Sequence, residues 1–178
     1  YLFYFNQEFF YNLKIHSFHF YFFFYLNYMF EFNYFHIPRT LSRDYCIRAL
    51  RALEKVVKKP QQGIINLIVI DPEEMARMNK QFRGKEGPTD ILTFSYIQKI
   101  PSTEYWVPST LDVAWEIYLC LEKIKIYAKE RGHTYREELE YIVIHGLVHL
   151  MGYDHETEKD FEEMQIVEEE IIKLVNWL

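Results

Sequence analysis

The chain has 178 residues, a formal net charge of -6 and 49% hydrophobic residues, enough to build the core of one domain. The acidic balance excludes a protein that grips nucleic acid with its whole surface. Two cysteines, Cys46 and Cys120, are too few for a disulfide framework and fit a reducing, cytoplasmic setting.

The first 36 residues hold 19 of the 33 aromatics, and their only acidic or basic side chains apart from histidines are Glu8, Lys14 and Glu31. The longest stretch free of such charges, Ile15 to Phe30, is shorter than the roughly 18 to 20 apolar residues a bilayer crossing needs. A basic start and a small-residue cleavage site are missing, so a signal peptide fits poorly. Residues 1–28 therefore read as an aromatic-rich extension outside the fold, with the domain running over 29–178 from near Met29. A membrane-associated hairpin is the alternative.

Phe30 to Phe35 alternates in the period-2 manner of a half-buried edge strand. Thr40 to Lys59 reads as an amphipathic helix with Leu50, Leu53 and Val57 on one side, ended by Pro60. Ile64 to Ile70 is a continuous apolar run, typical of a strand buried on both faces. Asp71-Pro72-Glu73-Glu74 opens a helix with a capping residue, a proline at the first helical position and acids in the first turn. Strands follow near Ile91 to Tyr96 and Leu111 to Leu119, then helices near Leu121 to Arg131, Tyr135 to Met151 and Glu158 to Trp177. The result is an α+β single domain with five helices.

Basic residues crowd two segments, Arg39 to Lys59 and Arg77 to Lys85, while Glu156 to Glu170 is dominated by acids. A bipolar molecule could turn a basic side toward RNA, although charge runs on helices are usually solvated faces.

The run His145-Gly146-Leu147-Val148-His149-Leu150-Met151-Gly152-Tyr153-Asp154-His155 carries the chemistry. Residues four apart on a helix lie one above the other, about 6 Å along the axis, so the first two imidazoles address one object. Gly152 lets the helix stop and the chain turn back, so His155 can supply a third imidazole. Three nitrogens leave a coordination position open, which is the arrangement of a catalytic rather than a structural zinc. Zn2+ is expected from the ligand type, although imidazole sites also accept nickel, copper or iron. Asp154 reads as a turn residue or as a carboxylate orienting an imidazole. His16, His19, His36 and His133 lack such spacing and read as surface or packing residues.

The spacing is that of the metzincin proteases, with one departure: their general-base glutamate, beside the first ligand, is replaced by Gly146. A glycine accepts no proton, so peptide hydrolysis by the usual route is disfavoured.

Upstream, Met78-Asn79-Lys80-Gln81-Phe82-Arg83-Gly84-Lys85 precedes Pro88-Thr89-Asp90-Ile91-Leu92-Thr93-Phe94. A guanidinium offers paired donors to phosphate oxygens and stays charged, and Gly84 lets backbone approach a ligand. Arg83 is thus the candidate for neutralising charge in a transition state, with Lys85 as a second substrate contact; both residues standing as solvated loop positions is the plainer alternative. Thr89 and Asp90 read as turn formers.

The eleven-residue histidine run and this second block, in this order, closely resemble the signatures of the YbeY family of metal-dependent endoribonucleases. The resemblance runs from about Met29 to the C-terminus. It implies a four-stranded mixed sheet with helices packed on it and a zincin-like histidine-bearing helix. It further implies cleavage of single-stranded RNA, 3′ maturation of the small-subunit (16S) ribosomal RNA and a part in ribosome biogenesis. The implied partners are ribosomal RNA and the small subunit with its proteins, with neither DNA nor membrane expected. That family also carries a Gly-Asp or Gly-Glu pair on the strand before the metal helix, matched here by Trp115-Glu116, where the acid is kept and the glycine is not. Glu116 is accordingly a candidate proton acceptor or else an exposed strand residue. Two other classes stay open: a zinc metallopeptidase of metzincin-like geometry, and a ribosome-assembly factor without catalysis.

Overall fold

The computed structural model describes residues 3–4, 30–57, 63–99, 106–108 and 115–177. Its strands are β1 (Phe3–Tyr4), β2 (Phe30–Phe35), β3 (Gly63–Val69), β4 (Ile91–Ser95), β5 (Ile97–Lys99), β6 (Trp106–Pro108) and β7 (Trp115–Leu119). The helices are α1 (Arg43–Val57), α2 (Pro72–Arg83), α3 (Leu121–Arg131), α4 (Tyr135–Leu150) and α5 (Glu158–Trp177). The main sheet runs β1-β4-β7-β3-β2. Strands β2, β3 and β7 are parallel, while β4 pairs antiparallel with β7.

The expected four-stranded mixed sheet and five helices are thus present. Two features were not legible. Phe3–Tyr4 adds a two-residue parallel ladder on Phe94 and Ser95, and β5 with β6 forms a separate antiparallel pair. Apart from these two residues, which pair with the sheet, the reading that 1–28 stand apart from the fold falls outside the described residues. No described helix is long and apolar enough to cross a membrane.

Alternation along the strands sends side chains to two faces. Ile65, Leu67, Trp115, Ile117 and Leu119 face α1, α4 and α5 in one large core. Leu92 and Phe94 face the other way, onto Met75 and Met78 of α2. Helix α4 is the centre of the larger layer. It is buried nearly all round, from Leu139 through Leu150, and its start is fixed by a capping box in which Thr134 and Glu137 satisfy each other's backbone N–H groups.

Boundaries differ modestly from expectation. Helix α1 begins at Arg43 rather than Thr40 because the Ser42 hydroxyl accepts the N–H of Tyr45 at 3.0 Å and so takes the capping place. At α2 the sequence signals hold: Asp71 accepts from the N–H of Glu74, and Pro72 opens the helix. Gly84, with φ 64°, closes it in the left-handed region.

Candidate metal centre and its cleft

Helix α4 delivers His145 and His149 one turn apart. Gly152 then takes φ 90°, a conformation that side-chain-bearing residues rarely adopt, and the chain folds back so that His155 meets the other two. The His145 and His149 ring centroids are 4.5 Å apart, and His155 lies 5.7 Å from the first and 5.1 Å from the second. One ligand nitrogen from each ring falls within 4.8 Å of the others. Asp154 takes the turn role, its Oδ1 accepting the N–H of His155 at 2.8 Å.

The hydrogen bonds around the rings decide what the site can hold. His145 Nδ1 lies 2.6 Å from Glu168 Oε1, and His149 Nδ1 lies 2.9 Å from the carbonyl oxygen of Tyr153. A carboxylate and a carbonyl accept, so each Nδ1 carries the ring hydrogen and each Nε2 is left with a lone pair. Those two Nε2 atoms face each other at 3.0 Å. Two ring nitrogens at that distance, one buried and one half-buried, suit a shared cation, and a divalent transition metal held by imidazole nitrogens fits. Burial, with His145 alongside, holds the His149 imidazole down to a pKa of about 3, so the ring is neutral and ready to ligate.

Glu168 escaped the sequence reading. It sits on α5 within the buried stripe Met164, Val167, Ile171 and Val175, where it is 6% exposed, and its second oxygen accepts from the Tyr141 hydroxyl at 3.1 Å. The available signal was a carboxylate interrupting an apolar helical stripe, a costly placement unless a partner awaits it.

The three imidazoles open onto a cleft of about 390 Å³. Arg83, Asp90, Thr93, Tyr127, Arg131 and Tyr141 are among its lining residues. Arg83 therefore stands with the histidines, as its candidate role required. Its position follows from local order: the Asn79 side chain donates to the Gly87 carbonyl at 2.8 Å, and Asp90 accepts from Thr89 and from the N–H of Ile91. Lys85 is exposed and does not line the cleft. The other basic residues of that segment are engaged locally, Arg77 with Glu74 and Lys80 with Glu86.

Glu116 is not brought to the imidazoles. Its neighbours Trp115 and Ile117 point into the α4 core, so by strand alternation it projects from the opposite face. There its Oε2 accepts from the hydroxyls of Tyr96 and Tyr118 at 2.8 and 2.9 Å, and Asn66 donates to Oε1 at 3.4 Å. Burial and this carboxylate push both tyrosine hydroxyls far above their usual range. The proton-acceptor role beside the metal is thereby corrected: the sheet stands between. Trp115, in the place of the family's glycine, is fully buried and fills core space.

Gly146 has a packing reason. A Cβ built there would meet Ile91 Cδ1 at 2.7 Å and the methyls of Ile117 and Thr93 at 3.4 Å. The helix lies directly on the sheet at the position where the proteases carry their base.

With this geometry in place, the family model described as Endoribonuclease YbeY matches residues 30–176. The endoribonuclease YbeY of Thermotoga neapolitana is 37% identical over 125 residues, covering 67% of this chain and 75% of that protein. That of Thermotoga maritima is 40% identical over 114 residues, covering 63% and 68%. The Malacoplasma penetrans protein of the same name is 34% identical over 152 residues, covering 82% and 95%.

Proposed function

Because the chain belongs to the YbeY endoribonuclease family, we propose that it is a metal-dependent endoribonuclease that cleaves single-stranded RNA. Its setting is the maturation of the 3′ end of small-subunit (16S) ribosomal RNA during ribosome biogenesis, in the cytoplasm and in contact with the small subunit and its proteins. The observation that carries the reading is the pair of Nε2 lone pairs 3.0 Å apart, with the third imidazole beside them and an arginine in the same cleft.

His145, His149 and His155 would hold the ion, with zinc the first choice. Such an ion, when bound, supplies Lewis acidity toward a phosphoryl oxygen and a nucleophile at neutral pH. The chain's own residues do the rest. Glu168 and the Tyr153 carbonyl keep both α4 imidazoles in the Nδ1–H tautomer, so each Nε2 would be free to hold the ion. Arg83 binds the phosphate and neutralises the charge that grows on its oxygens. The carboxylate lining the cleft, Asp90, accepts through Oδ1 from Thr89 and from the N–H of Ile91, and Gly146 offers no base, which disfavours the usual peptidase route.

The test incubates the purified full-length chain, metal-loaded or chelated, with unstructured single-stranded RNA, duplex RNA and an unfolded protein. Chelator-sensitive loss of the single strand alone is expected, abolished in His149→Ala and weakened at least tenfold in Arg83→Ala. Cleavage of the protein substrate, or equal RNA loss by the His149→Ala chain, would contradict it.

A further inference from the structure

Helix α3 carries an aromatic between two cations on one face. Lys123, Tyr127 and Arg131 are spaced four apart, so they stack in a row rising about 12 Å from first to last. The Lys123 ammonium lies 4.6 Å from the Tyr127 ring centroid, and the Arg131 guanidinium lies 5.3 Å from the same centroid. Tyr127 and Arg131 both line the metal cleft.

The row is also held in place. Arg131 pairs through Nη1 with Glu138 of α4, a carboxylate with no exposed surface, whose other oxygen lies 2.8 Å from His133 Nδ1. A carboxylate that deep costs far too much without a cation, so Glu138 fixes the guanidinium at the cleft wall. One nitrogen is used in this way, and the Arg131 side chain as a whole remains 44% exposed, with further guanidinium donors to offer. Exposed Phe161 lines the same cleft. Cations interleaved with aromatic faces are how unpaired nucleic acid is tracked: the cations follow phosphates, and the rings stack on bases.

Resting on the nuclease reading above, we infer that the Lys123–Tyr127–Arg131 face of α3 is the track along which single-stranded RNA leaves the metal cleft, with Arg131 a second phosphate-binding arginine beside Arg83 and Glu138 its positioning residue. This locates a basic surface on a chain of net charge -6. It lies on a helix outside both basic segments that stand out in the sequence.

Salt dependence of binding tests it without any turnover. The full-length chain in chelator is titrated with a fluorescent, unstructured single-stranded RNA at several salt concentrations. Each phosphate contact on a single strand contributes about 0.7 to the slope of log K against log salt. Lys123→Gln should lower the slope by about 0.7 and the Lys123→Gln/Arg131→Gln/Glu138→Gln chain, which leaves no buried carboxylate unpaired, by about 1.4, with affinity falling several-fold at low salt. Because Arg131→Gln alone strands Glu138, the same measurement is made on Arg131→Gln/Glu138→Gln, which removes the buried charge too. Tyr127→Ala should weaken binding without changing the slope. Unchanged slopes in folded variants, or recovery of wild-type affinity when Glu138→Gln is added to Arg131→Gln, would overturn the track while leaving the nuclease reading intact. Failure of the unaltered chain to bind single-stranded RNA would sink that reading, and the track with it.

Discussion

Glu168 bears on the candidate metal site although it touches only one ring. It accepts from His145 and from Tyr141 at once, so it fixes both the tautomer and the rotamer of the first ligand. Glu168→Gln should weaken metal affinity roughly 10- to 100-fold, read by competition against a coloured chelator, while the far-ultraviolet circular dichroism stays unchanged. An unaltered affinity would show that His145 is oriented by packing alone. Gly146 makes the complementary point about space. In Gly146→Ala the new methyl meets the end of the Ile91 side chain, which can rotate away, so the net change in unfolding free energy should stay within about 1 kcal/mol of zero, helped by alanine's helix propensity. Gly146→Glu, which restores the protease pattern, should destabilise by about 2 kcal/mol or more and confer no cleavage of casein. Urea midpoints of the two variants measure the difference, and a stable Gly146→Glu chain with peptidase activity would refute the packing argument.

At the scale of elements, the turn after α4 matters more than the helix itself. The φ of 90° at Gly152 is what carries His155 back to the other rings. Gly152→Ala should cost about 1 to 3 kcal/mol of stability and lower metal affinity, because the strain is relieved by moving the third ligand. Thr134→Ala, at the far end of the same helix, is the control: losing the capping box should cost about 1 kcal/mol and leave metal affinity alone. Equal metal affinities in the two variants, read by calorimetric titration, would separate His155 from the site. The same elements show what could be read beforehand. The histidine run, the glycine stop, the capped start of α2 and the five helices are local signals, carried by residues a few positions apart. Glu168 reaches the His145 ring, and Arg131 the cleft, only through the packing of α5 and α3 against α4, which no local period reveals. Glu116 misled for a related reason, since a strand's hydrophobic run does not say which face a given residue takes once both faces are covered. Register against β3 and β4 settles it.

Across the whole molecule, the candidate metal site lies on a helix packed between the sheet and α5, so its ionisation is tied to folding. His149 has a folded-state pKa of about 3 against a usual value near 6.5. Below about pH 6.5 the unfolded chain takes up a proton that the folded one refuses, so stability is fully present above that pH and declines as pH falls toward 3. Carboxylates held low by their hydrogen bonds, among them Glu74 beside Arg77 and Glu137 in the capping box, act in the same direction. The urea midpoint of the chelated chain should fall steadily from pH 7 to pH 4.5, and His149→Asn should flatten part of that decline. A flat profile in the unaltered chain would mean that the ring is not buried neutral. The most direct measurement of the central claim is the metal content of the purified chain set beside its cleavage of single-stranded RNA. One transition-metal ion per chain is expected, lost together with cleavage in His149→Ala and restored together when metal is returned to the chelated protein. Full cleavage by a chain holding less than a tenth of an equivalent of metal would contradict the account.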